Sequence, residues 1–388
     1  MRPSYTHVDK PIHIGSVTVK NRVFRPAHGT MIGRGEMTDE LIAYYEARAR
    51  GGVALSMVEV GSVHQTSALC LNIYDPVTEP GIRRLVDRVK PHGMAIFQQL
   101  YHAGHNILPA DGSPPWSASD VPGIELGVVP IAMTKAMIDE IVAAYARAAQ
   151  RMEACGMDGV DVHAAHGYLL SQFLSPVTNR RDDDYGGSFE GRSRLIVEVL
   201  EAIRANTTPD FVVGVRLAPD LTVNGVGVGE NLKLAQLLEA KNLIDYVNIS
   251  IGNFYTFHRI IAGMHEPAGY ELPTSAPIAR AIKVPSMVVG RFRTLEEMDQ
   301  VIRDGNADMV GAVRAMIADP DLVKKSLEGR VEQVRPCIAC NQACLGNANS
   351  YRPMECAVNA GAGHELSRGD HTLKPARDPK YVLVVGGG

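Results

Sequence analysis

The stretch Gly159-Val-Asp-Val-His-Ala-Ala-His-Gly-Tyr168 decides the fold. A short apolar run, Gly159–His163, ends abruptly in polar rings, with amphipathic stretches on either side at Lys135–Cys155 and Phe189–Ala205. Working outward, the same unit recurs. Strand-like runs occur at Arg22–Pro26, Val53–Val60, Ala95–Leu100, Gly159–His163, Phe211–Leu217, Asp245–Ser250, Pro285–Gly290 and Asp308–Val313. Helical patterns between them include Asp39–Arg50, Glu230–Ala240 and Thr294–Asp304, the last opening with the capping-box pattern Thr294-Leu-Glu-Glu297. Continuously apolar strands alternating with helices imply a parallel sheet covered by helices. Eight such units in roughly 320 residues predict an α/β fold, a closed (β/α)8 TIM barrel. A doubly wound sheet would show a glycine-rich phosphate turn after strand one, where this chain has Arg25-Pro26-Ala27-His28. Ahead of the barrel, Pro11–Val23 alternates apolar and polar residues and predicts an N-terminal hairpin.

The expected organisation has three parts: a barrel over residues 1–335, a cysteine-bearing segment over 336–380, and a terminal run over 381–388. That run, within Lys380-Tyr-Val-Leu-Val-Val-Gly-Gly-Gly388, matches the way a dinucleotide-binding βαβ unit begins. The chain therefore reads as the front part of a longer protein.

Composition narrows the function. The 388 residues are 45% hydrophobic and 21% charged, an ordinary globular balance that can bury a core without staples. With 39 Lys plus Arg against 43 Asp plus Glu, the net charge of −4 gives no basic excess for nucleic acid. No 18-residue apolar run predicts a membrane span, and MRPSYTHVDKP lacks a signal peptide's apolar stretch. A cytoplasmic location is expected, and a homo-oligomer is compatible with the sequence.

Reactive groups of a (β/α)8 barrel collect at the C-terminal ends of its strands. Those ends carry Pro26-Ala27-His28, Val60-Gly61, Gln99 with His102, His163 with His166 and Tyr168, Arg216, Ser250, Gly290-Arg291 and Val313-Arg314. The loops after strands seven and eight often bind phosphate in this fold, so Gly290, Arg291 and Arg314 are phosphate-ligand candidates. The alternative is a pair of surface salt bridges. His163 and His166 could share a metal, although no third ligand is obvious. They could instead donate two hydrogen bonds to a carbonyl oxygen with Tyr168 as an acid beside them, or be cap and core polar residues.

Four of the six cysteines, Cys337, Cys340, Cys344 and Cys356, crowd into the last fifth with spacing C-x2-C-x3-C-x11-C. A disulfide framework is out of place in a large chain without a secretion signal. Four thiolates so arranged suit an iron–sulfur cube, with structural zinc as the alternative. Cys70 and Cys155 read as buried apolar cysteines.

Longer motifs resemble the old yellow enzyme family, in its multidomain iron–sulfur branch containing 2,4-dienoyl-CoA reductase and trimethylamine dehydrogenase. The carriers are Lys20-Asn21-Arg22, Gln99-Leu-Tyr-His-Ala-Gly104, Pro115-Trp116-Ser-Ala-Ser119, His163-x-x-His-Gly-Tyr-Leu and Gln172-Phe-Leu-Ser-Pro176. Asn179-Arg-Arg-Asp-Asp-Asp-Tyr-Gly-Gly-Ser188 and Pro336-Cys-Ile-Ala-Cys-Asn-Gln-Ala-Cys344 complete the set. The resemblance implies non-covalent FMN at the barrel mouth. Pro26, Ala27, His28, Val60 and Gln99 would line its ring, Arg216 would lie at the N1–O2 edge, and Gly290, Arg291, Val313 and Arg314 would hold the phosphate. It further implies a 4Fe-4S cluster on the four clustered cysteines, and FAD and NAD(P)H bound by a part beyond this chain as the electron source.

Two departures from the branch bear on the substrate. The amine dehydrogenase bonds FMN through a cysteine near the end of strand one, where this chain has His28. It also boxes its cation in tryptophans, whereas the single tryptophan here, Trp116, lies in a Pro/Ser-rich loop. His163 and His166 instead match the carbonyl-gripping pair of simple ene-reductases. The implied activity is reduction of the C=C bond of an α,β-unsaturated carbonyl or enoyl thioester. In it, the two histidines hold the carbonyl, FMN N5 gives hydride to the β-carbon, and Tyr168 protonates the α-carbon. Oxidative amine dehydrogenase or N-demethylase chemistry is the alternative, and a non-catalytic electron-transfer fragment is a third reading.

Overall fold

The computed structural model describes residues 5–385. An antiparallel hairpin, β1 (Ile12–Ile14) and β2 (Val17–Val19), precedes the barrel. Eight parallel strands then close on themselves: β3 (Val23–Arg25), β4 (Leu55–Ser62), β5 (Ala95–Tyr101), β8 (Gly159–His163), β9 (Val212–Leu217), β10 (Tyr246–Ile249), β11 (Ser286–Val288) and β12 (Met309–Gly311). Between β5 and β8 a long loop carries a two-residue parallel pair, β6 (Trp116–Ser117) and β7 (Ile131–Ala132). Closure is made by β12 against β3, with Val310 opposite Val23 and Gly311 opposite Phe24. The expected (β/α)8 barrel and its hairpin are the observed fold.

Strand ends coincide with the sequence expectation or differ from it by one or two residues, and where they differ there are physical reasons. Pro26 cannot donate a ladder hydrogen bond, so β3 stops at Arg25. β4 runs on to Ser62 through a register shift between Val58 and Gly61. Such irregularities re-aim side chains beside active sites, and Val60 within this one lines the large cavity.

The barrel interior is filled from several strands. Phe24, Met57, Phe97, Tyr246, Met287 and Met309 form one buried cluster, and Ile14 and Val19 of the hairpin join it. Gly214 makes room for this packing, because a Cβ there would lie 2.1 Å from the Tyr246 ring. The outer helices bury their apolar faces against the strands, and their starts are fixed by side-chain caps. Thr38, Thr134 and Ser188 cap the helices Asp39–Arg50, Lys135–Ala154 and Phe189–Asn206. The capping box of Thr294 and Glu297 forms as the spacing predicts.

Residues 336–380 add no strand and pack on the barrel. Met354 N–H donates to Thr30 O, Asn359 donates to Ile317 O, and Arg48 forms a buried ion pair with Glu365. Tyr381–Val385, read above as the start of a further strand, are exposed and unpaired, and Gly386–Gly388 lie outside the described residues. No helix among the described residues is long and apolar enough to cross a membrane.

Candidate active site

One cavity of about 530 Å³ opens at the C-terminal ends of the strands, lined by side chains from around the barrel. It gathers Pro26, Ala27 and His28 from the β3 end, Val60 from β4 and Gln99 from β5. His163, His166 and Tyr168 arrive from the β8 end, Arg216 from β9, Gly290 and Arg291 after β11, and Val313 and Arg314 after β12. Every residue proposed from sequence as catalytic or flavin-binding therefore meets in one place. The loop residues Phe254, Phe257, Ile260, Ile261 and Tyr270 supply an apolar and aromatic wall.

His28 has a fixed tautomer. Arg25 is fully buried, packs its guanidinium over the Tyr44 and Tyr45 rings and places Nη2 2.6 Å from His28 Nδ1. A guanidinium only donates, so Nδ1 accepts and the ring hydrogen sits on Nε2. That nitrogen is buried without a protein partner. Burial, reinforced by Arg25 and Arg48, pushes the His28 pKa well down and keeps the ring neutral.

His163 is set by the same logic. Ala165 N–H donates to His163 Nδ1 at 3.3 Å, which leaves the hydrogen on Nε2. His166 lies across from it, with Nδ1 3.3 Å from His163 Nε2, and its backbone φ of +58° is unusual for a side-chain-bearing residue. Burial and the nearby Arg216 charge hold both imidazoles well below the usual histidine pKa. Tyr168 meets His163 edge-on with ring centroids 4.9 Å apart and is flanked by Tyr101 and Phe254. Burial raises the Tyr168 pKa, so its phenol stays protonated.

At the far side of the cavity, Gln99 donates to buried Asp161 at 2.6 Å, and Tyr246 and Asn248 also donate to that carboxylate. Arg216 lies close enough to feel the Asp161 charge, yet its Nε has no protein partner. Arg291, with φ +60°, likewise has a buried Nε without a partner. Arg293 and Arg314 are near enough to Arg291 to lower its pKa after burial, a concentration of positive charge suited to an anion. Arg314 is partly engaged, since one nitrogen donates to Ala262 O and Asn341 Oδ1, both at 2.6 Å. His28 Nε2, Arg216 Nε and Arg291 Nε are buried donors without a protein partner, on three residues that line one cavity of ordinary ligand-site size.

Some participants escaped the sequence reading. The sequence marks Ser250 only as a strand end and Glu271 only as part of a pocket-shaping stretch, residues 260–273, yet both line the cavity and bond each other at 3.3 Å. Burial pushes Glu271 up to about 7. Cys70 is buried as expected and also lines the cavity, while Cys155 is buried outside it. Trp116 packs against His64 and His102 and is absent from the cavity wall.

Cys337, Cys340, Cys344 and Cys356 are free thiols that line one small pocket with Arg314, and Cys337 and Cys344 border the large cavity as well. Ala339 N–H donates to Cys337 Sγ at 3.4 Å. Among the described residues, no three His, Cys, Asp or Glu side chains converge as ligands of a single ion.

Comparison with known proteins places these features in a lineage. The chain is 35% identical over 97% of its length to a metal reductase of Desulforamulus reducens, covering 57% of that protein. Its structure superposes on 2-naphthoyl-CoA reductase with a TM-score of 0.87 at 28% identity, covering 93% of this chain and 58% of the other. It matches 6-hydroxypseudooxynicotine amine oxidase from Pseudomonas geniculata N1 equally well, with a TM-score of 0.87 at 30% identity, covering 97% and 58%. The chain thus spans a little over half the length of these relatives. Residues 8–333, from before the hairpin to beyond the last barrel strand, match the family model, and the chain belongs to the NADH:flavin oxidoreductase / NADH oxidase family.

Proposed function

We propose that this chain is the FMN-binding catalytic part of an ene-reductase acting on the C=C bond of an α,β-unsaturated carbonyl or enoyl thioester. The observation that carries this reading is the pair His163 and His166, with nitrogens 3.3 Å apart, beside the protonated phenol of Tyr168. Two neutral imidazoles can donate to one carbonyl oxygen and draw density from the β-carbon. Tyr168, its ring edge-on to His163, would give a proton to the α-carbon. The aromatic wall of Phe254 and Phe257 would cover the substrate and exclude water.

The residues present fit FMN. His28 Nε2 would donate to the ring, Pro26, Ala27, Val60 and Gln99 would line it, and the Arg216 cation would stabilise its reduced anionic form. Gly290, Arg291, Val313 and Arg314 would hold the phosphate. When bound, FMN supplies hydride to the substrate's β-carbon. The four clustered cysteines, which share one pocket, would hold a 4Fe-4S cluster, each thiolate binding a different iron rather than all four converging on one ion. NAD(P)H as electron source, with FAD in a further part, belongs to the same proposal and concerns a protein longer than this chain.

A second reading, oxidative amine dehydrogenase or N-demethylase, draws on Glu125, whose carboxylate lines the cavity and acts electrostatically on Tyr168. A carboxylate there would suit a cationic amine. The double variant His163→Ala/His166→Ala tests the first reading. Ene-reductase action predicts full FMN content with reoxidation by enone slowed at least a hundredfold. Unchanged reoxidation would remove the histidines from the reaction.

A further inference from the structure

The two imidazoles are the inner end of a longer chain of polar groups. His166 Nε2 lies 3.0 Å from Ser250 Oγ, and Ser250 Oγ donates to Glu271 Oε2 at 3.3 Å. All four residues are nearly inaccessible, with Ser250 1% and Glu271 3% exposed, and all four line the cavity. β10 ends one residue before Ser250, and Glu271 comes from the loop that follows.

Such a chain has two self-consistent directions. With Glu271 ionised, Ser250 donates to the carboxylate, His166 Nε2–H donates to Ser250, and His166 Nδ1 is a lone pair. His163 Nε2–H, its hydrogen fixed by the Ala165 amide, can then donate to that lone pair. With Glu271 protonated, every bond reverses. Glu271 donates to Ser250, Ser250 donates to His166 Nε2, and the ring hydrogen moves to Nδ1. Two N–H groups 3.3 Å apart then face each other and cannot bond, so they share an outside acceptor.

We propose that Glu271, acting through Ser250, is a positioning residue that sets the His166 tautomer and thereby decides whether the histidine pair offers one or two hydrogen bonds to a carbonyl. This inference rests on the carbonyl-gripping role proposed for the pair. No net proton transfer to substrate is involved: one proton is taken up at His166 Nδ1, the Nε2 hydrogen passes to Ser250 and the Ser250 hydrogen to Glu271, so the chain gains a single proton. Binding an acceptor selects the protonated carboxyl, and by linkage a protonated carboxyl strengthens binding.

The surroundings of Glu271 allow both states near neutrality. Arg216 on β9, Arg314 after β12, the Tyr270 hydroxyl and Ser250 favour the anion, while burial opposes it and prevails. His166 and His163, both held neutral, add no opposing charge.

The test uses oxidised holoenzyme and cyclohex-2-enone, which has no titrating group, with Kd read from perturbation of the flavin spectrum between pH 6 and 9. Loss of one of two hydrogen bonds predicts binding about tenfold weaker at pH 9 than at pH 6. In Glu271→Gln the amide can donate to Ser250 at any pH, so binding becomes pH-independent and matches the native value at pH 6. In Ser250→Ala the chain is cut, and binding becomes pH-independent at about the native value of pH 9. A Glu271→Gln enzyme that keeps the native profile, or that loses FMN, overturns the proposal; FMN loss would assign Glu271 to cofactor binding. If no enone binds at pH 6, the ene-reductase reading fails, and the relay is judged by ¹⁵N-histidine NMR. His166 must pass from Nδ1–H to Nε2–H as pH rises through about 7, and must not do so in Glu271→Gln. A tautomer indifferent to pH refutes the relay.

Discussion

His102, just past β5, gives the most quantitative prediction. It is 1% exposed, accepts from Gly104 N–H at Nδ1 (3.1 Å) and directs Nε2 to Thr66 Oγ1 (2.8 Å). Protonating Nδ1 would place two hydrogens face to face. Burial, with a smaller contribution from His64, lowers its pKa from 6.5 to about 3. A folded-state pKa below the unfolded one means the unfolded chain takes up the proton first. The stability it contributes is therefore complete above pH 6.5 and is lost as pH falls toward 3. Each pH unit below 6.5 removes about 1.4 kcal/mol, so at pH 5 this one ring costs about 2 kcal/mol. His102→Gln retains an acceptor and a donor but no titration. Urea unfolding of the holoenzyme at pH 7.5 and pH 5 should show a stability loss about 2 kcal/mol smaller in the variant than in the native protein. Equal losses would show that His102 is already charged in the fold, or not buried as described.

Other predictions follow the same structure. Gly214→Ala drives a methyl into the Tyr246 ring and should cost about 1–3 kcal/mol in urea unfolding. Glu365→Gln leaves the buried Arg48 cation without its carboxylate and should destabilise by about 3 kcal/mol, read as a lower midpoint with an unchanged slope. Tyr168→Phe should slow reoxidation of reduced flavin by enone about 10²-fold or more, while dithionite reduction proceeds as before. Cys356→Ser should lower iron and acid-labile sulfide while leaving FMN content intact, measured by metal analysis against flavin absorbance.

What the sequence conveyed follows the physics of each feature. The strands β8 and β9 read correctly because continuous burial demands apolar residues, and the strand-end rule then collected His28, His163, His166, Tyr168 and Arg216 in one cavity. Relations between distant residues stayed hidden. Arg25 looks like any arginine at a strand end until Tyr44 and Tyr45 of the first barrel helix stack against it and it fixes the His28 tautomer. Glu271 falls in an aperiodic loop, and nothing local marks its approach to Ser250, 21 residues earlier. Arg314 follows the last strand as a phosphate ligand should, but its partners Ala262 and Asn341 lie 52 and 27 residues away. The terminal run is read from an apolar stretch leading into Gly386-Gly-Gly388, a pattern whose pairing partners would lie outside the described residues.

The central claim is the direction of the flavin chemistry at this site. Purified protein, reduced anaerobically with dithionite until the flavin just bleaches, is mixed with cyclohexenone or cinnamoyl-CoA and followed at the flavin band. Rapid return of the oxidised spectrum is the predicted result. No reoxidation by either compound, together with bleaching of the oxidised protein by a methylated amine, would contradict the account and assign the site to amine oxidation.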